Sequence, residues 1–327
     1  MAELLMRLLP LIDASQHRLP LCPRPFAELA ARFGLVEDEV IAGLAQLQRR
    51  GTVSRIGAVC APGAVGASTL AALSVPPARM AEVASMVSAQ AEVNHNYARA
   101  HRYNLWFVLT AADRAGVEVA LARIGRDSGL AVLDLPLTRE YHIDLGFSLT
   151  QTAPARARAV RPAAAFLQDA AERALLRRLA RGLPLQAAPY AAVAAELGCS
   201  EAWVLDTLAR HLDSGAVRRF GVIVRHHELG WRHNAMCVWH IADEAQRDAA
   251  GAALAREPHV NLCYARRAAV GWPYTLYAML HGQDALAMRD LAAALSRRHG
   301  LSALPRAVLL STCRFKQRGA RYDARAG

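Results

Sequence analysis

The chain of 327 residues reads twice, and that repeat limits what it can fold into more than any other feature. Gly51-Thr-Val-Ser-Arg-Ile-Gly-Ala-Val59 recurs as Gly215-Ala-Val-Arg-Arg-Phe-Gly-Val-Ile223. Val93-Asn-His-Asn-Tyr-Ala-Arg99 recurs as Val260-Asn-Leu-Cys-Tyr-Ala-Arg266, and Leu135-Pro136 as Leu304-Pro305. The order is kept and the spacing is nearly constant. A tandem duplication of one two-part unit follows, with Thr152–Pro162, rich in Ala, Arg and Pro, as the join.

Each unit opens on helical periodicity. Leu4–Ile12, Phe26–Phe33 and Val40–Leu47 carry apolar residues at three- and four-residue spacings, and Gly34 sits where a helix-turn-helix bends. Ala174–Leu179, Tyr190–Leu197 and Val204–Leu212 repeat the pattern around Gly198. Thr52–Val59 and Ala216–Val224 then read as wing-like strands. The rest of each unit alternates strand and helix as β-α-β-β-α-β, the ferredoxin-like order, with Asp113 at an N-cap position. The predicted fold class is therefore α+β, a winged helix-turn-helix plus a ferredoxin-like domain, each present twice. The expected boundaries are 1–60 and 61–150, a linker at 151–162, then 163–225 and 226–314, and a fraying basic tail at 315–327.

Composition narrows the partners. The net charge is +11, and Lys316 is the sole lysine. Residues 1–160 hold 16 Arg against 14 Asp and Glu; residues 161–327 hold 23 basic against 14 acidic, so the excess lies in the second half. A basic chain suggests a polyanionic partner. DNA is disfavoured, because Glu37, Asp38 and Glu39 open the first recognition helix and Glu201 and Asp206 lie in the second. Carboxylates there complement the helix dipole but repel phosphates. The six cysteines form no clustered metal-ligand pattern, so no metal site is expected. Neither a secretory signal nor a membrane-length apolar run is visible, which implies a cytoplasmic protein without membrane association.

Residues 93–107 carry the unusual chemistry. Strand alternation places His95, Tyr97 and Arg99 on one face, and His101, Arg102, Tyr103 and Trp106 follow across a turn. Such a face suits a polar or anionic ligand more than a packed core. The second unit keeps Tyr264 and Arg266, adds Arg267 and Trp272, and puts Leu262 where His95 stands. A catalytic first half and a supporting second half are expected. His240, His281 and the pair His226 and His227 are weaker candidates.

These strings, with Trp272-Pro-Tyr and Met279-Leu-His281, make the chain resemble the Lrp/AsnC architecture. More narrowly, it resembles the siroheme decarboxylases of the fused D–L form, along essentially its whole length. The resemblance implies removal of CO2 from the C12 and C18 acetates of siroheme, giving 12,18-didecarboxysiroheme on the way to heme d1. It also implies helix-turn-helix modules that no longer read DNA and an internal pseudo-dimer. A further homodimer and contacts with other heme d1 enzymes stay open. No cofactor is expected, since iron enters with the substrate. On this reading Arg55, Arg99, Arg102, Arg266 and Arg267 clamp the carboxylates. Tyr97, Tyr103, Trp106, Tyr264 and Trp272 meet the macrocycle. His95 and His101 move protons, or one of them ligates the iron. The alternatives are a ligand-sensing Lrp/AsnC-like transcriptional regulator and a non-catalytic heme carrier.

Overall fold

The computed structural model describes residues 2–143, 169–224, 233–282 and 284–322. The expected linker and the pair His226 and His227 lie outside them. The chain forms two compact units that cut across its order. One gathers the helical parts of both halves, and the other the sheet-forming parts, with the first division at Val65/Gly66.

The helical unit contains α1 (Ala2–Ser15), α2 (Pro25–Phe33), α3 (Glu37–Arg49) and β1 (Val53–Cys60), and from the second half α6 (Ala170–Arg181), α7 (Pro189–Leu197), α8 (Glu201–Ser214) and β6 (Val217–Val224). Gly34 and Gly198 end α2 and α7 in the left-handed conformation, as the turn of a helix-turn-helix requires. The wings pair antiparallel with Gly57 opposite Gly221, so repeat-equivalent residues meet at a pseudo-twofold axis. Both positions demand glycine. A Cβ on Gly57 would lie 2.4 Å from the Leu179 carbonyl oxygen, and one on Gly221 would lie 2.1 Å from that of Ser15. Leu183 N donates to Ile56 O and Leu19 N to Phe220 O, so each wing is flanked by the other half's chain. At the acidic start of α3, Arg24 pairs with Glu37, and Glu39 accepts from Val36 N at 3.3 Å.

The second unit contains β2 (Ala67–Leu73), α4 (Met80–Ala89), β3 (Val93–Arg99), β4 (Leu105–Ala111), α5 (Arg114–Ser128) and β5 (Leu133–Ile143). The second half adds β7 (His233–Trp239), α9 (Glu244–Leu254), β8 (Val260–Arg266), β9 (Leu276–Gly282), α10 (Ala285–Arg298) and β10 (Arg306–Gln317). Asp113 caps α5 as expected, accepting from Gly116 N at 2.8 Å. The sheets β3-β4-β2-β5 and β8-β9-β7-β10 join at β5–β8 and β10–β3 into a closed eight-stranded barrel. Strand alternation divides the apolar residues among three cores. Leu105, Phe107 and Leu109 face α4 and α5, whereas Ala235, Cys237 and Trp239 belong to the matching core of α9 and α10. A third core draws Leu70, Trp106, Leu135, Tyr264, Trp272, Tyr277 and Leu309 from both halves. Neither half could bury that face alone.

Two expectations are corrected. Leu133 stands opposite Ala72 and Ala307 opposite Val238, so equivalent positions in β5 and β10 are 307 − 133 = 174 residues apart. Leu135 therefore matches Leu309, and the Leu304-Pro305 likeness is coincidental. The basic tail from residue 315 is also not a fray as far as it is described. β10 runs on to Gln317, with Arg314 opposite Tyr97, Lys316 opposite Asn96 and Gln317 opposite His95. Arg318 N then donates to Asn94 O. Alternating charged residues hid a strand whose backbone closes the edge of β3.

Candidate active site

β3 holds the first group. His95 and Tyr97 lie near parallel with ring centroids 6.4 Å apart, and the Arg99 guanidinium carbon lies 5.9 Å from the Tyr97 ring centroid. The opposite side of the strand is tied down: Asn96 donates to Ala84 O and to Ser88 Oγ, beneath α4. The β3–β4 register shifts between Val93 and His95, and there His95 Nδ1 meets Asn94 Oδ1 at 2.8 Å. Burial pushes the Tyr97 hydroxyl pKa up, opposed by Arg99 and Arg314.

The turn after β3 builds the second group. Tyr103 N donates to His101 Nδ1 at 3.1 Å. The His101 ring meets Trp272 edge-on at 5.3 Å, and Trp272 also packs against Tyr103, Trp106 and Tyr274 at 5.7, 5.0 and 4.7 Å. Trp272 Nε1 donates to the Tyr277 hydroxyl, and Trp106 Nε1 to Tyr103 O. The second half thus supplies the wall that holds His101. Burial, helped by Arg102, lowers the His101 pKa.

Two arginines link the groups to the barrel. Arg99 donates to Leu309 O at 2.9 Å, and Arg266 to Leu135 O at 2.6 Å. Arg266 also lies over the Tyr264 ring at 4.6 Å and within 6.0 Å of Tyr277. Nε of each arginine is buried without a hydrogen-bond partner, and among the described residues neither arginine pairs with a carboxylate. Burial lowers the Arg99 pKa to about 10. An uncompensated guanidinium held out of water favours an anion.

The other expected residues sort as follows. Arg102 is exposed, donates to Gly271 O and lies 5.0 Å from the Tyr103 centroid. Arg267 is exposed, anchored by its backbone to Pro136 O. Trp106 and Trp272 are only 2% and 1% exposed, so they stand behind His101 and Tyr103 as support. Arg55 belongs to the helical unit, where it reaches Ala58 O. His240 Nδ1 bonds to Pro273 O. Burial drives the His281 pKa down to about 4, and its Nδ1 meets Asn261 Oδ1. Sequence reasoning missed Asn94, Thr110, Tyr277 and Arg314. Tyr277 was findable as the counterpart of Trp106, while Arg314 was hidden in the supposed tail. Among the described residues no cluster of His, Cys, Asp or Glu could hold a metal ion, and no helix is long and apolar enough to cross a membrane.

A duplicated α+β chain whose sheets close one barrel around an anion-seeking site is of the AsnC-like class. The AsnC-like ligand binding domain matches residues 64–142 and 228–316, and the siroheme decarboxylase NirDL-like HTH domain matches 10–53 and 172–218. The siroheme decarboxylase NirDL subunit of Paracoccus denitrificans is 46% identical over 95% of this chain and 96% of its own length. The siroheme decarboxylase of Hydrogenobacter thermophilus is 30% identical over 94% and 92%. A crystal structure of the siroheme decarboxylase NirDL, in complex with an iron-uroporphyrin III analogue, superposes with a TM-score of 0.65 at 26% identity, covering 98% of this chain and 94% of that one. The chain belongs to the siroheme decarboxylase family, in its fused NirDL form.

Proposed function

We propose that the protein is a carboxy-lyase that decarboxylates siroheme, removing CO2 from the C12 and C18 acetates. The observation that carries this reading is the pair of guanidiniums, Arg99 buried and Arg266 half-buried, set among aromatic rings without a carboxylate. A flat, iron-bearing polyanion satisfies both features: its carboxylates take the charges and its macrocycle the ring faces of Tyr97 and Tyr103. Arg102 and Arg267, both exposed, reach outer carboxylates.

Decarboxylation breaks the bond between the acetate methylene and its carboxylate, and the electron pair passes into the macrocycle. A proton must then reach the methylene carbon to make a methyl group. His95 and His101 are the titratable groups of the site suited to handle it. An arginine fixed on the departing carboxylate would stabilise it in place, so expelling water from that carboxylate matters more to the rate. Iron arrives with the substrate, and the reading calls for no other cofactor. The internal pairing already completes the barrel, so a second copy is not required to build the site; exchange of substrate and product with other heme d1 enzymes is expected in the cytoplasm.

The test is anaerobic incubation with siroheme, followed by mass spectrometry. Loss of two CO2 units, with both methyl groups mapped to C12 and C18, supports the reading. Unchanged siroheme refutes it. Salt-dependent binding to a specific promoter fragment would favour a regulator instead.

A further inference from the structure

The hydrogen bonds on the two histidines differ in a way that separates their work. Thr110 Oγ1 donates its proton to Arg321 O at 2.9 Å, so it can only accept from Asn94 Nδ2, 3.3 Å away. That orients the buried Asn94 amide with Oδ1 toward His95, and His95 Nδ1 must carry the proton at their 2.8 Å contact. The lone pair of neutral His95 is therefore on Nε2. His95 can gain a second proton there and keep its bond to Asn94. The opposite holds at His101: Tyr103 N–H points at Nδ1, so the ring proton is on Nε2. Protonating His101 would break that bond and set two N–H groups against each other.

We infer that His95 is the proton carrier and His101 a permanently neutral N–H donor, with Asn94 and Thr110 as the positioning residues that fix the His95 tautomer. The inference rests on the decarboxylase reading. As CO2 leaves with the electron pair held in the macrocycle, the methylene carbon takes the proton from His95 Nε2, and water reprotonates the imidazole. His101 Nε2–H donates to a carboxylate of the bound tetrapyrrole. Among the described residues, the charged groups beside His95 include Arg99 on its own strand, Arg314 and Lys316 on β10, and Arg318 and Arg321 just beyond. Glu92, at the entry to β3, is engaged by Arg123. The charged group beside His101 is Arg102.

The experiment has two arms on the full chain. Nitrogen-15 NMR of the histidine rings, without substrate, should show His95 as the Nδ1–H tautomer, gaining a proton at Nε2 as pH falls. It should show His101 as the Nε2–H tautomer throughout. Thr110→Val should scramble the His95 tautomer and Thr110→Ser restore it. In siroheme turnover, His95→Gln should lose at least about a hundredfold, because a glutamine carries no transferable proton. His101→Gln keeps an N–H donor and should lose no more than about tenfold. Titration with iron-uroporphyrin III reports whether each variant retains a folded site. Reversed tautomers, or an inactive His101→Gln beside an active His95→Gln, overturn the division of roles. Equal losses in both variants overturn it too. A wild-type protein that leaves siroheme intact overturns the decarboxylase reading itself, and the roles with it.

Discussion

Arg99 and Arg266 make the same hydrogen bond from opposite sides of one barrel. Each comes from the second barrel strand of its half and reaches a carbonyl in the last strand of the other, at Leu309 and Leu135. The two acceptors are themselves repeat equivalents. A fused chain has thereby kept a pseudo-twofold pair of cations while the residues around them diverged. One side has His95 and His101; at the matching positions the other has Leu262 and Trp272.

The pair predicts a trade of stability against binding. Replacing Arg99 by Met removes a buried charge that has no carboxylate partner and forfeits one hydrogen bond, worth about 1 kcal/mol. Urea unfolding should show stability unchanged or raised. Iron-uroporphyrin III should bind more than about tenfold more weakly, a cost of about 1.4 kcal/mol. Arg266→Met should act the same way. Retained affinity in both variants would remove these arginines from the site.

Trp272 should matter for rate more than for capture. Its indole packs on His101, Tyr103, Trp106 and Tyr274 and donates to Tyr277. Trp272→Phe keeps most of the packing and loses the hydrogen bond, at about 1 kcal/mol. Its kcat should fall with little change in KM. Trp272→Ala should cost about 3–5 kcal/mol of stability by leaving a cavity.

Lys316 titrates low for a lysine. Burial, then the charges of Arg318 and Arg321, bring its pKa to about 8, although its ammonium donates to Ser88 O and Gln90 O at the end of α4. As the sole lysine, it can be followed by reductive methylation and NMR. Arg318→Gln should raise the midpoint. The folded state binds this proton more weakly than the unfolded chain, so between about pH 8 and the ordinary lysine pKa of 10.5 stability should rise with pH. Lys316→Met should flatten that rise.

Gly221→Ala should unfold the helical unit selectively. The new methyl would stand 2.1 Å from Ser15 O and 2.7 Å from Gln16 O, both backbone atoms with little room to yield. A loss of more than about 2 kcal/mol is expected. In calorimetry the transition of the helical unit should move down while that of the barrel stays.

Much of the fold was legible because its signals are local or repeated. Helical periodicity, the turn glycines and the Asp113 cap act within a few residues, and the duplication shows by simple likeness. The face of His95, Tyr97 and Arg99 followed from strand alternation alone. By contrast, β10 beside β3 was illegible. Pairing between strands more than two hundred residues apart is set by backbone hydrogen bonds that leave little mark on side-chain pattern, and the charges of Arg314, Lys316 and Arg318 mimic a solvated tail.

By itself the sequence determined the duplicated unit, the α+β class, the family, and the side chains that could meet a polyanion. Only the tertiary structure decided that the repeats regroup into a paired helical unit and one shared barrel, because each sheet has an apolar face and open edges that the other half must cover. The proposed division of roles between the histidines rests there as well. A tautomer depends on which atom faces each ring nitrogen, and those atoms, Asn94 Oδ1 and Tyr103 N, take their places only once the strand, its bulge and the following turn have formed.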